Sequence, residues 1–185
     1  MIRDDEEHGV VPIRLGPRAL EELAECVVGV LDRVVDGVRI VFVVRLAPFL
    51  RLFPDEMRVA VEVRNKALWR RPVLDVLHEQ GRALVLIDHP WMDPPERIAA
   101  RDDLTPAPFS YVRLLGDREA IEKITTKWGE TVVDQTARLA SWAEWVARTL
   151  DEGRDVWVAA NNHYAGHGPA TIEELERRVR EKLGA

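Results

Sequence analysis

Short runs of β-branched and other apolar residues recur along this chain, each followed by a stretch with helical spacing. That alternation limits the possible folds more than any single residue does. In residues 59–63, Val59, Val61 and Val63 alternate with Ala60, Glu62 and then Arg64, so the valines share one face of a strand and the charged pair shares the other. Residues 38–44, 82–88, 109–115 and 156–160 read as further strands, and in 109–115 Tyr111 and Arg113 lie opposite Val112 and Leu114. A helix is expected after Pro17, where Leu20, Leu23, Ala24, Val27, Val28, Leu31 and Val34 follow the 3.6-residue period until Asp36-Gly37 stops it. Residues 72–80 predict a second helix, closed by Gly81. Residues from about 133 to 150 predict a third, with Leu139, Trp142, Ala143, Val146 and Leu150 on its buried stripe and Gly153 at its end. A last helix follows, with Thr171 and Glu174 spaced as a capping box and Ile172, Leu175, Val179 and Leu183 on its inner edge. Strands alternating with helices predict an α/β fold with parallel pairing and right-handed crossovers.

With 185 residues, 46% of them hydrophobic, the chain supports one core rather than two. Its 32 acidic and 26 basic residues are interspersed and give a net charge of −6, which argues against a basic face tracking nucleic-acid phosphates. Cys26 is the lone cysteine and falls in the apolar pattern of the first expected helix, so it reads as a core residue; no disulfide or cysteine metal site can form within one chain. The start of the chain is charged, and no apolar run approaches the roughly 18 residues of a membrane span, so a cytoplasmic protein is expected. Residues 89–108 carry five prolines and read as irregular, either a binding loop or lid, or a surface excursion.

Four blocks carry a family resemblance: Val59-Ala60-Val61-Glu62-Val63-Arg64-Asn65 with Trp69; Leu86-Ile87-Asp88; Tyr111-Val112-Arg113-Leu114 with Gly116; and Asn161-Asn162-His163-Tyr164-Ala165-Gly166-His167-Gly168-Pro169-Ala170. In this order they resemble the YecE-like family, domain of unknown function 72, over about residues 58–183. The resemblance implies a TIM-type (β/α) barrel and supplies no established activity. Members of that family open with a Glu-Asn-Thr-Phe-Tyr-like motif and a Leu-Gly-Pro leading to a strand that ends in Gln-x-Pro-Pro. Here Leu15-Gly16-Pro17 is followed by Arg18-Ala19-Leu20-Glu21, and no Gln-x-Pro-Pro occurs. About five strands are counted where a full barrel has eight. The expectation is therefore a single, incomplete barrel domain over 1–185, with a divergent segment at 1–57, family-like βα units at 58–185, and self-association through an incomplete sheet edge.

In such a barrel functional groups gather at the carboxyl ends of the strands. Glu62, Asp88 and His163 are the candidate catalytic groups, and Arg64, Arg113, Asn161 and Asn162 the candidate substrate-binding groups. The arginines present planar forks for a carboxylate or phosphate, the carboxylates are possible bases, and paired asparagines orient hydroxyl or carbonyl groups. A small anionic or polyhydroxylated ligand follows from that set. An equally simple reading pairs Glu62, Arg64 and Arg113 with one another as a structural network. Glu62, Asp88 and His163 also have the donor types of a metal site. However, His163 and His167 are separated by Gly166 and no His-Glu-x-x-His pattern occurs, so no metal is assigned and no cofactor is named. Gly166-His167-Gly168 lacks the spacing of a phosphate loop, and Ser110 and Ser141 lack a nucleophile elbow. Three classes stay open: an enzyme on a small polar metabolite, a noncatalytic ligand- or partner-binding protein, and a truncated homologue without function.

Overall fold

The structure, a computed structural model, describes residues 44–184 and the backbone of Ile13–Leu15 and Cys26–Val30. Its strands are β1 (Ile13–Leu15), β2 (Cys26–Val30), β3 (Val59–Val63), β4 (Ala83–Asp88), β5 (Phe109–Leu114) and β6 (Asp155–Ala160). Its helices are α1 (44–50), α2 (Arg71–Glu79), α3 (Pro95–Ala99), α4 (Arg118–Glu122), α5 (Thr136–Asp151), α6 (Asn162–Ala165) and α7 (Gly168–Leu183), with 3-10 turns at Lys66–Leu68 and Asp102–Leu104. The described strands form one sheet, ordered β1-β6-β5-β4-β3-β2. β2 to β6 run parallel in chain order, and β1 joins β6 antiparallel.

Because each parallel strand steps across the sheet in the same direction, right-handed crossovers bring the connecting helices to one face. The register identifies that face. Val61 pairs with Leu84, Asp88 with Leu114, and Leu114 with Ala160, and Asp88 meets the α5 side chain of Trp142. Ala60, Glu62, Val85, Ile87, Tyr111, Arg113, Trp157 and Ala159 are on the other face, and all but Arg113 and Trp157 are buried. Arg58, at the start of β3, reaches Asp155 of β6 at 2.7 Å, although three strand spacings, roughly 14 Å on a flat sheet, separate them.

Several sequence expectations change in the structure. Cys26–Val30, expected inside a helix, is strand β2; three valines in five residues suit a pleated surface, and β3 provides a parallel partner. The rest of that expected helix lies outside the described residues. The expected strand at 38–44 also lies outside them, except for Val44, which is in α1. There Leu46 and Leu50, four apart, are buried on one helical face. Short apolar runs do not distinguish strand from helix by periodicity, which is why the reading differs from the structure at Cys26–Val30 and at Val44. α7 begins at Gly168, three residues before the expected cap. Thr171 is consequently helical, and its hydroxyl donates to the His167 carbonyl at 2.9 Å instead of capping. Leu183 is 44% exposed and leaves the inner edge of that helix. Residues 89–108 are packed down by Met92, Ile98, Leu104 and Ala107, all buried, and α3 rests on α5.

Asp88 fastens the later helices to the sheet. Its carboxylate, at the end of β4 and 1% exposed, accepts from Trp142 Nε1 at 2.7 Å and Tyr164 Oη at 2.8 Å, and is paired with the Arg138 guanidinium. Its carbonyl accepts from the amides of Leu115 and Gly116 at 3.1 and 3.2 Å, turning the chain sharply after β5. Gly116 has φ +72°, and a Cβ there would lie 2.2 Å from the His163 carbonyl oxygen. Burial, reinforced by the charge and hydrogen bond of Asp88, pushes the Tyr164 hydroxyl well above its ordinary range. Burial pulls the Arg138 guanidinium down, but the hydrogen bond and charge of Asp88 outweigh it and the net shift is upward.

Gly116→Ala should therefore lose at least about 2 kcal/mol of stability, from backbone strain plus the collision with α6. Denaturant unfolding measures it, and a change within a few tenths of a kcal/mol would show that the turn can relax. Tyr164→Phe should lose about 1.5–3 kcal/mol near pH 7. Folded Tyr164 stays protonated where the unfolded chain ionises, so its contribution is complete below about pH 10 and declines above it. The stability difference between the wild type and Tyr164→Phe should shrink as pH rises past that point; a constant difference would contradict the buried contact.

Candidate functional site

Glu62 sits one residue before the end of β3, on the face opposite Asp88 and the helices. A carboxylate that is 1% exposed needs partners, and Glu62 has two. Arg64 Nε donates to one oxygen at 2.5 Å, and Arg113 Nη1, reaching from β5 across β4, donates to the other. Period two decides this arrangement: residues 62 and 64 share a face, and Arg113 pairs with Ile87 on that same face. The Arg64 and Arg113 side chains are 38% and 20% exposed, so both forks lean outward from the carboxylate that holds them. Each guanidinium has five N–H donors, and two such groups share one carboxylate, leaving positive charge and unused donors at the carboxyl ends of β3 and β5.

Asn161 extends this side. Its amide continues the ladder by donating to the Leu114 carbonyl at 2.9 Å, and its extended backbone keeps it in phase with Ala159, which pairs with Arg113. It caps α6 without a side-chain hydrogen bond, so its amide group is open. Asn162 is committed elsewhere: its buried Oδ1 accepts from the Gly168 amide at 2.8 Å and fixes the start of α7. His163, on α6, has Nε2 3.4 Å from Glu122 Oε1 of α4 and its ring edge-on to Trp128, with centroids 4.8 Å apart.

The structure thus brings Glu62, Arg64, Arg113 and Asn161 to one face. Asp88, expected beside Glu62, ends β4 on the opposite face, because β4 is in register with Arg113 at Ile87 and not at Asp88. Asp88 and Asn162 belong to the helical side, and His163 faces the α4 segment. Among the described residues no three His, Cys, Asp or Glu side chains cluster as a metal site would require.

Sequence reasoning passed over Arg138, Trp142 and Tyr164 as partners of Asp88, Glu122 and Trp128 as neighbours of His163, and the Arg58–Asp155 pair. One signal was available. Arg138 and Trp142 are four apart on a single helix, placing a cation in line with a buried indole donor, a combination that calls for an acceptor. Nothing local indicates that Asp88, fifty positions earlier, is that acceptor.

The sequence profile of the family described as "Protein of unknown function DUF72" matches residues 38–185. Among solved structures, a DUF72 family protein from Enterococcus faecalis V583 is similar at a TM-score of 0.54 and 18% identity, over 86% of this chain and 60% of that one. Another from Thermotoga maritima MSB8 is similar at a TM-score of 0.54 and 20% identity, over 77% of this chain and 52% of that one. These likenesses concern the fold, and the matched regions span just over half the length of those proteins. A comparison with curated proteins finds no match. With the profile running through β3 to β6 and every rim residue described above, the chain belongs to the DUF72 family, the one the sequence blocks resemble under the name YecE-like.

Proposed function

We propose that this sheet is the sector of a TIM-type (β/α) barrel and that its carboxyl-terminal rim binds a small anionic or polyhydroxylated metabolite through Arg64, Arg113 and Asn161. One observation carries the reading: two partly exposed guanidinium groups share a single buried carboxylate, Glu62, on the face opposite the helices. Barrel curvature is supported by the sequential parallel order, by the Arg58–Asp155 pair across β4 and β5, and by the likeness to DUF72 structures. In this reading Glu62 holds the two forks in place, since both its oxygens are already hydrogen-bonded. Asp88 and Asn162 support the rim from the helical side. An enzymatic version draws on His163, whose contact with Glu122 sets an imidazole beside a carboxylate near the rim, a pairing suited to proton transfer. No helix among the described residues is long and apolar enough to cross a membrane. A cytoplasmic location, suited to a chain with one cysteine, belongs to the same proposal.

A thermal-shift panel of small carboxylates, phosphates and polyols tests the site. A hit at the rim should bind Arg113→Ala roughly ten- to a hundred-fold more weakly, the worth of one charge-assisted hydrogen bond. Circular dichroism must show the variant folded, because removing Arg113 leaves Glu62 with one partner. Unchanged affinity in a folded variant would refute the proposal. The barrel reading also carries self-association through a strand edge. Sedimentation velocity should show species larger than the monomer that grow with concentration, whereas a monomer at every concentration would count against it.

A further inference from the structure

We propose that the opposite end of the sheet holds a second site, a cleft that binds a small oxyanion such as a phosphorylated or carboxylated metabolite. The cleft has a volume of about 300 Å³. It lies where the last turn of α5 and the turn before β6 meet the 3-10 turn Asp102–Leu104 ahead of β5, at the amino ends of strands whose carboxyl ends form the rim. Three arginines line it, and each comes from a different segment. Arg148 belongs to the end of α5, Arg154 immediately precedes β6, and Arg101 caps the 3-10 turn.

Known structural roles leave most of these donors unused. Arg101 uses Nε and Nη2 on Asp103, and Nη2 also on the Trp69 carbonyl. Arg148 uses Nη2 on the Ala99 carbonyl at 2.7 Å. A cation in the last turn of α5 also favours the helix dipole, which accounts for Arg148 without a ligand. It does not account for Arg154, whose side chain makes no hydrogen bond among the described residues and approaches Glu152 only at 3.7 Å. Trp145 is buried at the wall, and Thr105 and Thr149 add hydroxyls whose protons go to the Asp102 and Trp145 carbonyls. Those hydroxyl oxygens accept from a ligand, as do Asp102 and Glu152 on the walls. Asp102, Asp103 and Glu152 balance the three arginine charges, so an anion is held by the unused guanidinium N–H donors of Arg148 and Arg154 rather than by a surplus of charge, and the wall carboxylates favour one that also carries hydroxyl or amino donors.

Inorganic phosphate is the probe, titrated at fixed ionic strength while the arginine Nε–Hε signals are followed by NMR. The Arg148 and Arg154 signals should move along one saturable curve. The double variant Arg148→Gln, Arg154→Gln lacks both of those reporters, so its binding is read from the signal of Arg101, which lines the same cleft, and should be at least about ten-fold weaker; Arg113→Ala should leave the curve unchanged. Any of three results would overturn the proposal: no saturable movement, equal movement with chloride, or movement that disappears in Arg113→Ala and persists in the double variant. In the last case phosphate occupies the rim, so the two sites fail separately. Circular dichroism confirms that each variant folds, and Arg154→Lys, which keeps the charge but loses the fork, should fall between wild type and the double variant.

Discussion

An ionised carboxylate with almost no exposure has to be neutralised by its surroundings, and at Asp88 the surroundings are assembled from three later parts of the chain. The Trp142 indole and the Arg138 guanidinium come from α5, the Tyr164 hydroxyl from α6, and the carbonyl of the same residue receives the two amides that turn the chain after β5. Removing the ionic partner of such a buried charge, here Arg138, typically costs about 3–5 kcal/mol, comparable with much of a small domain's stability. Each attachment is therefore strongly favoured once the others are made. The position of α6 follows from this, and with it the positions of Asn161, Asn162 and His163.

Glu62 is equally buried, but its chemistry is different. Asp88 is closed in by an indole, a phenol and one guanidinium. Glu62 is shared by two guanidinium groups that extend towards solvent. The Asp88 site fastens helices to the sheet; the Glu62 site, with two guanidinium groups on one carboxylate, leaves donors available at the carboxyl ends of β3 and β5. Their separation to opposite faces comes from the parity of one residue along each strand, since β4 meets Arg113 with Ile87 and Leu114 with Asp88.

Strand order explains why the two ends of the sheet offer different chemistry. Sequential parallel strands send the helices to one side, and on the other side charged side chains from different strands meet one another. At the carboxyl ends this brings arginines from β5 and the β3 terminus onto one carboxylate. At the amino ends, chain reversals between helix and strand bring Arg101, Arg148 and Arg154 into one cleft.

Much of the fold can be read in the sequence where a local repeat repeats the tertiary environment. The period-two pattern of 59–63 determined which residues share a face, and the 3.6-residue stripe of α5 determined that Leu139, Trp142, Ala143 and Val146 are buried, because side-chain direction depends only on backbone geometry. The family blocks fixed membership in the same way, as local strings. At Cys26–Val30 and at residue 44 the runs were too short for periodicity to separate strand from helix, and pairing and packing decided. The candidate site was half legible. Which charged residues stand at strand ends was visible in the sequence; which face Asp88 takes relative to Glu62, that Arg138 and Tyr164 claim it, and that Arg101, Arg148 and Arg154 converge were decided only by the tertiary structure. Inter-strand register and helix docking join residues from 26 to 76 positions apart, and no local pattern encodes those distances.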